Sequence, residues 1–453
     1  MIIKNKDELL SHGNIKGRKI ALDILEHALE AVNSYKAVKK IVHINDENLI
    51  VGHLKFDLSK IGDIYVVGTG KATMPIGMAL EDILAERIRD GLIIVKRGQK
   101  RKLKRIKVIE ASHPIPDEAG LEGAKEIVKI AKNAKENDLV FSAITGGSSA
   151  LAPLPVDGIS LEDKVVVTDL LLKSGAVIQE INAVRKHLSA IKGGKLAKYI
   201  HPAEIVNLTV SDVIGDPLDY ITDLTVPDTS TFEDAVFALK KYGLWEKVSN
   251  SVRTRLEKGL TDPSLETPKD FTGMKVHTFV ISNNEAVCAA AKNRAEELGF
   301  NSTILSTMIE GESREAGIVL AGIAKDIEKN GRPFKPPCVL ISGGETTVTI
   351  EGKHGEGGRN QEFVLGFSLK IDRSKNITVS AIDTDGTDGP TDIAGGIADG
   401  YTLKRAKEKD IDVYGNLMKH NVSPVLRDLK DAVYTEPTGT NVMNLRVIVI
   451  GNS

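Results

Sequence analysis

Hydrophobic positions along the first half of the chain follow two patterns, a helical repeat and short continuous runs. From Lys16 to Val42 the apolar residues recur at every third or fourth position, which predicts an amphipathic helix. Short apolar runs of the kind that form buried strands then cover residues 64–67, 91–95, 108–111, 138–144 and 205–210. Helical stretches lie between them, the first one reaching Arg89. Because strands that alternate with helices form parallel sheets covered on both faces, the pattern predicts an α/β fold.

A polar segment with two prolines, residues 261–270, ends this series, and a further strand is predicted at residues 275–281. At about 150 residues per domain, a chain of 453 residues has room for two or three domains. We therefore expect two domains, at residues 1–265 and 270–453.

Two of the apolar runs end in a pair of glycines. Residues 138–144 lead into Thr145-Gly146-Gly147, and residues 338–342 lead into Gly343-Gly344-Glu345. In open α/β sheets ligands bind at the carboxyl ends of strands, so both turns are candidate binding sites. Glu345 is a candidate metal or hydroxyl ligand, although a lone glutamate is more often a helix cap or an exposed charge.

Composition narrows the class of partner. With 60 Lys and Arg residues against 62 Asp and Glu residues, the net charge of −2 argues against a nucleic acid as partner. The basic segment Lys96–Lys107 has no aromatic residue, so we interpret it as a solvated connection between strands. Two cysteines exclude a disulfide framework. No apolar segment reaches the roughly 18 residues of a membrane span, and none resembles the core of a signal peptide, so we expect a cytoplasmic protein without a membrane segment.

Glycine turns after the predicted strands favour an anionic ligand. Gly68 and Gly70 allow backbone N–H groups to approach a phosphate at the start of a helix, and Lys71 adds a mobile positive charge. The segment is not a dinucleotide fingerprint, because Thr73 stands at the third glycine, nor a Walker A loop, because Ala72 stands at its Ser or Thr. A second group of candidate anion-binding residues is Gly146, Gly147, Ser148 and Ser149. Structural tight turns are the alternative for both segments.

Cations are concentrated between residues 181 and 197, a segment without an acidic residue. Helical spacing places Asn182, Arg185 and Lys186 on one face, and Lys195 follows in the sequence. A solvated basic face is the alternative to an anion site. We interpret His187 as a structural residue, since no acidic partner is evident near it in the sequence.

Acidic residues and one arginine supply the remaining candidates. Asp212 and Asp216 follow a predicted strand, where their carboxylates suit Mg²⁺ or a substrate hydroxyl, or bond their own backbone. Arg359, which lies between two glycines and Asn360, suits a bidentate clamp on phosphate or carboxylate. Asp385 belongs to an Asp-Gly turn series and is the member that we expect to face a cleft.

These motifs, in this order, resemble the glycerate 2-kinase family, the class II or MOFRL-type glycerate kinases, over nearly the whole chain. Between Gly68 and Val213 the chain carries a Gly-x-Gly-Lys turn, a His-Pro-x-Pro-Asp segment, a Gly-Gly-Ser-Ser-Ala turn, an Asn-x-x-Arg-Lys-His-Leu-Ser helix and a Ser-Asp-Val turn. The second half carries Ser-Gly-Gly-Glu at residues 342–345, Gly-Gly-Arg-Asn-Gln-Glu at 357–362, Thr-Asp-Gly-Thr-Asp-Gly-Pro at 384–390 and Thr-Gly-Thr-Asn-Val at 438–442. Each piece is weak alone, and the combination is specific.

The resemblance implies an α/β fold with a Rossmann-like parallel-sheet N-terminal domain, a smaller α/β C-terminal domain of the MOFRL type, and an active site in the cleft between them. It also implies ATP-dependent phosphorylation of D-glycerate to 2-phosphoglycerate by in-line phosphoryl transfer, with Mg²⁺ or another divalent cation. The partners would then be D-glycerate and ATP, and formation of a homo-oligomer is left open.

By the same resemblance Lys71 and Arg359 are the catalytic residues. The chemistry agrees, because phosphoryl transfer needs positive charge around the transferring oxygens. Asp212 and Asp216 are assigned to the metal. The residues assigned to substrate and ATP are Gly68, Gly70, Gly146, Gly147, Ser148, Ser149, Asn182, Arg185, Lys186, Lys195, Gly343, Gly344, Glu345, Asn360 and Asp385.

Two other functions are weighed against this one. An NAD(P)-dependent hydroxypyruvate reductase is the alternative enzyme, and the incomplete dinucleotide fingerprint argues against it. A binding module built around residues 96–107 is disfavoured by the aromatic content of 4%. Residues 221–225 depart from the Ser-Gly-Pro-Thr segment typical of the family, so no contact is carried over to them.

Overall fold

The computed structural model describes residues 2–452, which fold into two compact units. The parallel-sheet unit consists of residues 34–211 and 216–281. The mixed-sheet unit consists of residues 2–33, 212–215 and 282–452 among those described. Within residues 2–452, no helix is both long enough and apolar enough to cross a membrane.

The strands are β1 (Val42–Asn45), β2 (Asn48–Val51), β3 (Leu54–Asp57), β4 (Ile64–Thr69), β5 (Ile88–Lys96), β6 (Lys107–Ala111), β7 (Leu139–Ile144), β8 (Glu204–Val210), β9 (Val276–Ser282), β10 (Asn301–Ile309), β11 (Cys338–Gly344), β12 (Ile377–Asp383), β13 (Gly395–Asp399), β14 (Ala432–Val433) and β15 (Asn444–Ile450). The helices are α1 (Lys6–Leu9), α2 (Ile15–Ala31), α3 (Ser34–Ile41), α4 (Thr73–Leu84), α5 (Glu118–Asn133), α6 (Ser148–Leu151), α7 (Leu161–Lys173), α8 (Ile178–His187), α9 (Lys195–Ile200), α10 (Leu218–Ile221), α11 (Phe232–Lys241), α12 (Asn250–Thr261), α13 (Asn284–Glu297), α14 (Ser313–Asn330), α15 (Arg359–Ser368), α16 (Thr402–Glu408), α17 (Val413–Met418) and α18 (Val422–Asp428). Short 3₁₀ helices lie at Ala85–Arg87 and Pro263–Leu265.

The main sheet of the parallel-sheet unit has the strand order β6-β5-β4-β7-β8-β9. Strands β4 to β8 are the five predicted apolar runs, and each pairs with its neighbour in parallel. The chain moves outward from β4 to β6 and then returns to β7 on the other side, so the order reverses between β4 and β7. This is the Rossmann arrangement, in which the crevice at the reversal point binds ligands.

This unit has two apolar cores, one between the sheet and its covering helices and one formed by helices alone. Ile127 of α5 and Leu196 of α9 pack with Ile94 and Val140 of the sheet in one core. Helices α7, α8, α11 and α12 form a separate helical cluster. The polar side chains of that cluster are considered with the candidate site.

The N-terminal region differs from the prediction. The helix expected from Lys16 to Val42 is divided into α2 and α3 at Asn33, and the two helices belong to different units. Asn and Ser side chains compete for backbone hydrogen bonds, which favours a break at this position. The antiparallel sheet β1-β2-β3 was not predicted, and its first turn contains Asp46 with φ +53°.

The expected domain boundary also differs from the observed division. Strand β9, expected to open the second domain, lies beside β8 in the parallel sheet. The Ile205 N–H donates to the Lys275 carbonyl at 2.9 Å, and Asn207 Nδ2 donates to Thr278 Oγ1 at 2.9 Å. Residues 270–281 therefore complete the first sheet, while residues 2–33 belong with the second.

The mixed-sheet unit is built on a sheet of order β10-β11-β15-β12-β13-β14. Strands β10 and β11 are parallel, and the remaining neighbours are antiparallel. Strands β11 and β12 both run opposite to β15, which lies between them, so their carboxyl ends reach the same edge of the sheet. Cys338 and Leu340 of β11 pack with α14 and α15, and the alternate residues Val339 and Ile341 are equally buried.

A buried ion-pair network joins α2 to the sheet of the mixed-sheet unit. Arg18 is fully buried, and its Nε donates to Asp399 at 2.5 Å while Nη1 donates to Asp431 at 2.8 Å. Arg405 also bonds to Asp431, at 2.5 Å. Although burial by itself raises the pKa of Asp431, the Arg18 guanidinium holds that pKa below its ordinary value. The network explains why residues 2–33 fold with the C-terminal half of the chain.

We expect Arg18→Met to destabilise the protein by about 3–5 kcal/mol, because it leaves buried carboxylates without their cation. The matched control is Arg294→Met, which removes a partly exposed pair with Asp23 of the same helix α2. That change should cost at most about 1 kcal/mol. Guanidinium chloride unfolding of the two variants measures both values, and equal losses would contradict the role given to Arg18.

Candidate active site

The turn after β4 is shaped by the close approach of β7. Gly70 has φ +141°, and a Cβ at this residue would overlap with the hydroxyl of Thr145. That hydroxyl accepts the Ala72 N–H at 3.1 Å, and Lys71 donates its backbone N–H to the Gly146 carbonyl at 2.8 Å. Glycine is therefore required at residue 70, and the backbone of Lys71 is fixed between two strand ends.

Lys71 lies at the point where the strand order reverses. Its side chain is half-buried. Its ammonium forms no hydrogen bond or ion pair with any residue of the range 2–452. A positive charge in a crevice at the carboxyl ends of parallel strands suits an anionic ligand.

The turn after β7 lies against Lys71. Gly147 has φ +89°, and a Cβ on it would lie 3.1 Å from Cγ of Lys71 and 3.2 Å from Nε2 of His113. Helix α6 begins at Ser148, which is buried, whereas Ser149 is half-buried. The structure thus gathers both predicted glycine turns, Lys71 and His113 at one end of the parallel sheet.

Gly68 serves packing inside the sheet. A Cβ on Gly68 would lie 2.7 Å from the Ala143 carbonyl oxygen. Thr73 donates its hydroxyl to the same carbonyl at 3.1 Å. Gly68, predicted as a binding residue, is therefore buried within β4, and Thr73 fills the place that a third glycine occupies in a dinucleotide fold.

His113 is a neutral group beside a cation. Burial, and after it the charges of Lys71 and Lys96, lower the pKa of His113 to about 4. At neutral pH the imidazole therefore offers one N–H donor and one nitrogen acceptor to a ligand. Apart from the His-Pro-x-Pro-Asp motif that contains His113, no local pattern in the sequence indicates this role.

The basic residues of α8 and the following loop are largely buried. Lys186 is 1% exposed and pairs with Asp228 at 2.8 Å. Lys195 Nζ donates to the carbonyls of Lys186 and Ser189 at 2.9 and 2.7 Å. The alternative of a solvated basic face is therefore wrong at these positions, because Lys186 bonds to Asp219 and Asp228, outside the segment, and Lys195 bonds to backbone carbonyls within it.

Asn182 and Arg185 have no partner of this kind. Both side chains are half-buried, and neither forms a hydrogen bond or ion pair with the described part of the chain. Burial lowers the pKa of Arg185, and the charge of Asp223 opposes that shift. Of the four predicted residues in this segment, these two are the ones whose donors are available to a ligand.

His187 is buried and does have an acidic partner. Its Nε2 lies 2.8 Å from Oε1 of Glu266, and its Nδ1 lies 2.6 Å from the Ala183 carbonyl oxygen. Although burial opposes the shift, the hydrogen bond with His187 holds the pKa of Glu266 well below its ordinary range. No acidic partner is evident near His187 in the sequence, because Glu266 is distant along the chain.

Arg359, the first residue of α15, bonds to two carboxylates at the edge shared by β11 and β12. Its Nη1 donates to Glu345 at 2.5 Å, and its Nη2 donates to Asp383 at 2.7 Å. Burial, and then the charge of Asp385, raise the pKa of Asp383, while Arg359 opposes them. Asp385 accepts the N–H and the hydroxyl of Thr387, both at 2.9 Å.

Asp388 fixes the start of α15. Its carboxylate accepts the backbone N–H groups of Asn360 and Gln361 at 3.1 and 3.0 Å, as an N-cap does. A Cβ on Gly358 would overlap with that carboxylate, so glycine is required there. Asn360 is fully buried and donates its side-chain amide to Asp388 at 3.0 Å. The Asn360 amide thus stabilises the start of the helix that carries Arg359. Asn360 was predicted to bind a ligand, but its side chain has no exposed donor in the structure.

Buried Arg446 supports the loop that carries Glu345. Its Nη1 donates to the Gly343 carbonyl at 2.7 Å and its Nη2 to Thr346 Oγ1 at 2.8 Å. Burial, and then the charge of Arg359, lower the pKa of Arg446 to about 10. Sequence reasoning missed this residue, although one arginine inside the apolar run 445–450 was an available signal.

The glycine pair of this loop is shaped by the backbone and by Asn284. A Cβ on Gly343 would overlap with the Asn284 side chain, whose Oδ1 accepts the Gly344 N–H at 3.0 Å. Gly344 has φ +95°, where its Cβ would overlap with the backbone of Ile309. Both glycines are buried at the end of β11, so they aim Glu345 outward.

A cavity of about 430 Å³ borders Arg359 within the mixed-sheet unit. Its wall includes Thr346, Ile350, Pro390 and His420. His420 Nδ1 lies 2.8 Å from the buried carboxylate of Glu362. The cavity gives a ligand room beside the Arg359 guanidinium.

The two aspartates predicted to bind a metal fall in different compact units. Asp212 accepts Asn441 Nδ2 at 3.2 Å within the mixed-sheet unit. Asp216 belongs to the parallel-sheet unit and has φ +53°. Within residues 2–452, no three His, Cys, Asp or Glu side chains form a group that could hold a metal ion. A Mg²⁺ ion that is held by one or two carboxylates and by substrate phosphates does not require such a group.

Comparisons with known proteins cover both halves of the chain. The family model DUF4147, a domain of unknown function, matches residues 20–257. The MOFRL family model matches residues 338–444.

Two curated relatives match nearly the full length. One is a glycerate 2-kinase from Pyrococcus horikoshii, 49% identical over 96% of this chain and 97% of the relative. The other is a D-glycerate 2-kinase from Thermotoga maritima, 38% identical over 96% of this chain and 98% of the relative.

Two solved structures share the fold. A crystal structure of a protein from Pyrococcus horikoshii has a TM-score of 0.84 and 48% identity, covering 96% of this chain and 99% of that chain. A crystal structure of a glycerate kinase from Thermotoga maritima has a TM-score of 0.84 and 38% identity, covering 95% of this chain and 99% of that chain.

We expect Gly70→Ala to destabilise the protein by about 1–3 kcal/mol, because the new Cβ overlaps with Thr145 and the backbone conformation is strained. Gly98→Ala is the control, since Gly98 has φ +86° but no atom within 4 Å of its Cβ position. The control therefore carries backbone strain without overlap. Thermal unfolding compares the two, and an equal loss in both variants would contradict the close approach of the strand ends.

We expect the His113 imidazole to remain uncharged at pH 5.5, because its pKa of about 4 lies below the ordinary 6.5. The folded state then binds its proton more weakly than the unfolded state, so this residue lowers stability as pH falls from 6.5 towards 4. Proton NMR titration of the histidine resonances measures the pKa, with His113→Gln assigning the signal. A titration near pH 6.5 would show that the ring is solvated.

Proposed function

The chain belongs to the glycerate 2-kinase family, and we propose that it transfers the terminal phosphoryl group of ATP to the 2-hydroxyl of D-glycerate, forming 2-phosphoglycerate and ADP. The observation that carries this proposal is the Lys71 ammonium, unpaired among the described residues and held between two glycine turns. Phosphoryl transfer depends on positioning and on positive charge near the transferring oxygens. The identity with two glycerate 2-kinases over nearly the whole chain supports the choice of substrate.

Lys71 contacts the transferring phosphoryl group in this proposal. Its backbone is fixed by the hydrogen bond to Gly146, while its side chain is free to follow the charge that develops on the phosphoryl oxygens. Backbone N–H groups of the turn at residues 146–149 contribute further donors, and Asn182 and Arg185 bind substrate or ATP. His113 offers a neutral acceptor next to Lys71, which suits a substrate hydroxyl.

Arg359 binds a phosphate or the glycerate carboxylate in this proposal. Two of its five N–H donors are used by Glu345 and Asp383, which hold the guanidinium in place. Its Nε is buried and has no partner among the described residues. One further N–H on each of Nη1 and Nη2 is left for a ligand in this proposal, in a planar arrangement that a lysine does not provide.

The donors near Arg359 fit a hard divalent cation. The region of the single arginine contains three carboxylates, those of Glu345, Asp383 and Asp385. In the same unit, one carboxylate oxygen of Asp212 accepts a hydrogen bond from Asn441. Asp212 is the residue that we favour for holding Mg²⁺, with Asp216 as the alternative from the sequence. When bound, Mg²⁺ neutralises charge on the ATP phosphates. Asp212 and its Asn441 partner orient one carboxylate oxygen for that purpose.

We place the enzyme in the cytoplasm. Both cysteines, Cys288 and Cys338, are buried free thiols. Burial raises the pKa of Cys288 to about 12 and that of Cys338 to about 11, so neither is a reactive thiolate. A reducing compartment that supplies ATP suits such a protein.

A hydroxypyruvate reductase is disfavoured by the structure of the first turn. Thr73 fills the position of the third fingerprint glycine and donates its hydroxyl to the Ala143 carbonyl, so the turn lacks the complete glycine fingerprint of a dinucleotide fold. NADH consumption with hydroxypyruvate would support the reductase, whereas ADP release with D-glycerate would support the kinase.

The reaction is tested by incubating the purified chain with ATP, Mg²⁺ and D-glycerate and identifying the product by phosphorus NMR. We expect the resonance of 2-phosphoglycerate to appear as the terminal phosphate of ATP disappears. A 3-phosphoglycerate product would overturn the assigned hydroxyl, and no glycerate-dependent product would overturn the kinase.

We expect Lys71→Met to lower kcat by about 10²–10³-fold, since it removes one cation from the transferring group. Arg359→Lys should also lower turnover, because it keeps the charge and loses the planar donor fork. The controls are Lys100→Met and Arg373→Lys, which alter exposed residues of the same types. Wild-type turnover in Lys71→Met would refute the role of that lysine, provided that thermal unfolding shows an unchanged fold.

A further inference from the structure

Lys164 is a buried cation without a partner. The residue is 7% exposed, and its Nζ is buried with no hydrogen-bond partner among the described residues. A capping box of Ser160 and Asp163 fixes the start of α7. Lys164 then shares the buried face of that helix with apolar residues three and seven positions further on, Val167 and Leu171. An ammonium in such a position is costly unless a negative charge compensates it.

The positive charges of other residues also affect the Lys164 ammonium. Burial, and then the charges of Lys192, Lys195 and Arg185, lower the pKa of Lys164 to about 7. Lys192 is 4% exposed and bonds to Asp223 at 2.6 Å. Arg185 is half-buried and forms no ion pair within residues 2–452.

The acids of this region do not balance these charges. Asp223 is the carboxylate whose charge opposes the shift of Lys164, and its Oδ1 has no hydrogen-bond partner among the described residues. Lys195 is already bonded to two backbone carbonyls. Lys192 is paired with Asp223, which leaves Lys164 and Arg185 as the two cations of this group without a carboxylate partner among the described residues.

We propose that Lys164, Arg185 and Lys192 form a buried anion site whose ligand is a dianionic phosphate group. The inference deepens the proposed function, because Arg185 is already assigned there to substrate or ATP. It adds Lys164, to which neither the sequence motifs nor the resemblance assigned a role, and Lys192, which belongs to the basic segment 181–197.

Charge balance selects phosphate over a carboxylate. When Lys164 is protonated, a phosphate dianion matches the charges of Lys164 and Arg185, whereas a carboxylate leaves one of them unbalanced. A bound dianion favours that protonated form, although burial and the neighbouring cations lower the pKa of Lys164 to about 7. Phosphate also offers several acceptor oxygens, which suits two ammonium groups and a planar guanidinium approaching from different residues. Inorganic phosphate, ATP and 2-phosphoglycerate all present this group.

A purely structural role makes a different prediction. A water molecule between Lys164 Nζ and Asp223 Oδ1 would satisfy both atoms and make Lys164 part of the ion-pair scaffold. Removing Lys164 would then destabilise the protein whether or not phosphate is present. Under the anion-site proposal, removing Lys164 relieves uncompensated charge, so the phosphate-free protein becomes at least as stable as the wild type.

The test measures the melting temperature of the full chain while inorganic phosphate is titrated at constant ionic strength with chloride. Three proteins are compared: the wild type, Lys164→Met and Lys173→Met. Lys173 lies at the exposed end of the same helix, so its variant has the same change in net charge. We expect saturable stabilisation of the wild type and of Lys173→Met. In Lys164→Met the apparent dissociation constant for phosphate should rise by about tenfold or more, because one charge-assisted contact is lost.

Equal stabilisation of all three proteins by phosphate, or no stabilisation of any, would overturn the anion site. A phosphate-free Lys164→Met protein less stable than the wild type would support the water-bridged scaffold instead. If Lys164→Met does not fold, Arg185→Gln replaces it, since Arg185 is half-buried and unpaired in the described chain, and the same loss of phosphate stabilisation is expected.

The source of the phosphate is found by repeating the titration with ATP and with 2-phosphoglycerate. The compound whose stabilisation Lys164→Met weakens is the ligand, and an effect on inorganic phosphate alone identifies the free ion. None of these measurements requires turnover. Absence of ADP release with D-glycerate, together with Lys164-dependent phosphate binding, would therefore refute the proposed function and leave the anion site standing.

Discussion

The compensation of buried positive charge governs both the scaffold and the candidate site of this protein. Where a buried cation has a carboxylate partner, it fastens elements that are distant in the sequence, as Arg18 does for α2 and as Lys186 does with Asp228. Such pairs recover the desolvation cost only when their geometry is good, and losing one partner leaves an expensive charge behind. Where no partner is present, as for Lys71 and Arg185 among the described residues, the same physics favours binding of an anion.

Glycine contributes by bringing backbones close together where these charges are placed. The ends of β4 and β7 approach so closely that Gly70 has no room for a Cβ, and the turn consequently fixes Lys71. The ends of β11 and β12 use the same device, since Gly343 and Gly358 leave space for Asn284 and Asp388. In both units a close approach at a glycine thus positions the segment that carries the candidate side chain, Lys71 in one unit and Arg359 in the other.

Features of the fold that depend on local sequence patterns were predicted correctly. Continuous apolar runs located β4 to β8, and alternation with helices predicted that these strands run parallel, because both follow from periodicity and chain connectivity. Features that depend on contacts between residues distant in the sequence were not predicted. Strand β9 was assigned to the second domain because its partner, β8, precedes it by about sixty residues, and nothing local records that pairing. The acids that neutralise Lys186 and His187, Asp228 and Glu266, were missed for the same reason. Asn360 was predicted to bind ligand from its neighbours, whereas its burial against Asp388 is a tertiary effect.

The two units differ in the sign of the charge that they leave uncompensated. In the parallel-sheet unit the excess is positive, at Lys71, Lys164 and Arg185. In the mixed-sheet unit Arg359 faces Glu345 and Asp383, with Asp385 adding to the negative charge that raises the pKa of Asp383. A phosphoryl donor that carries a divalent cation has both signs as well, anionic oxygens and a hard metal ion. The positive charge left in the parallel-sheet unit is therefore of the sign that suits phosphate oxygens, and the carboxylates around Arg359 are of the kind that suits a hard metal ion.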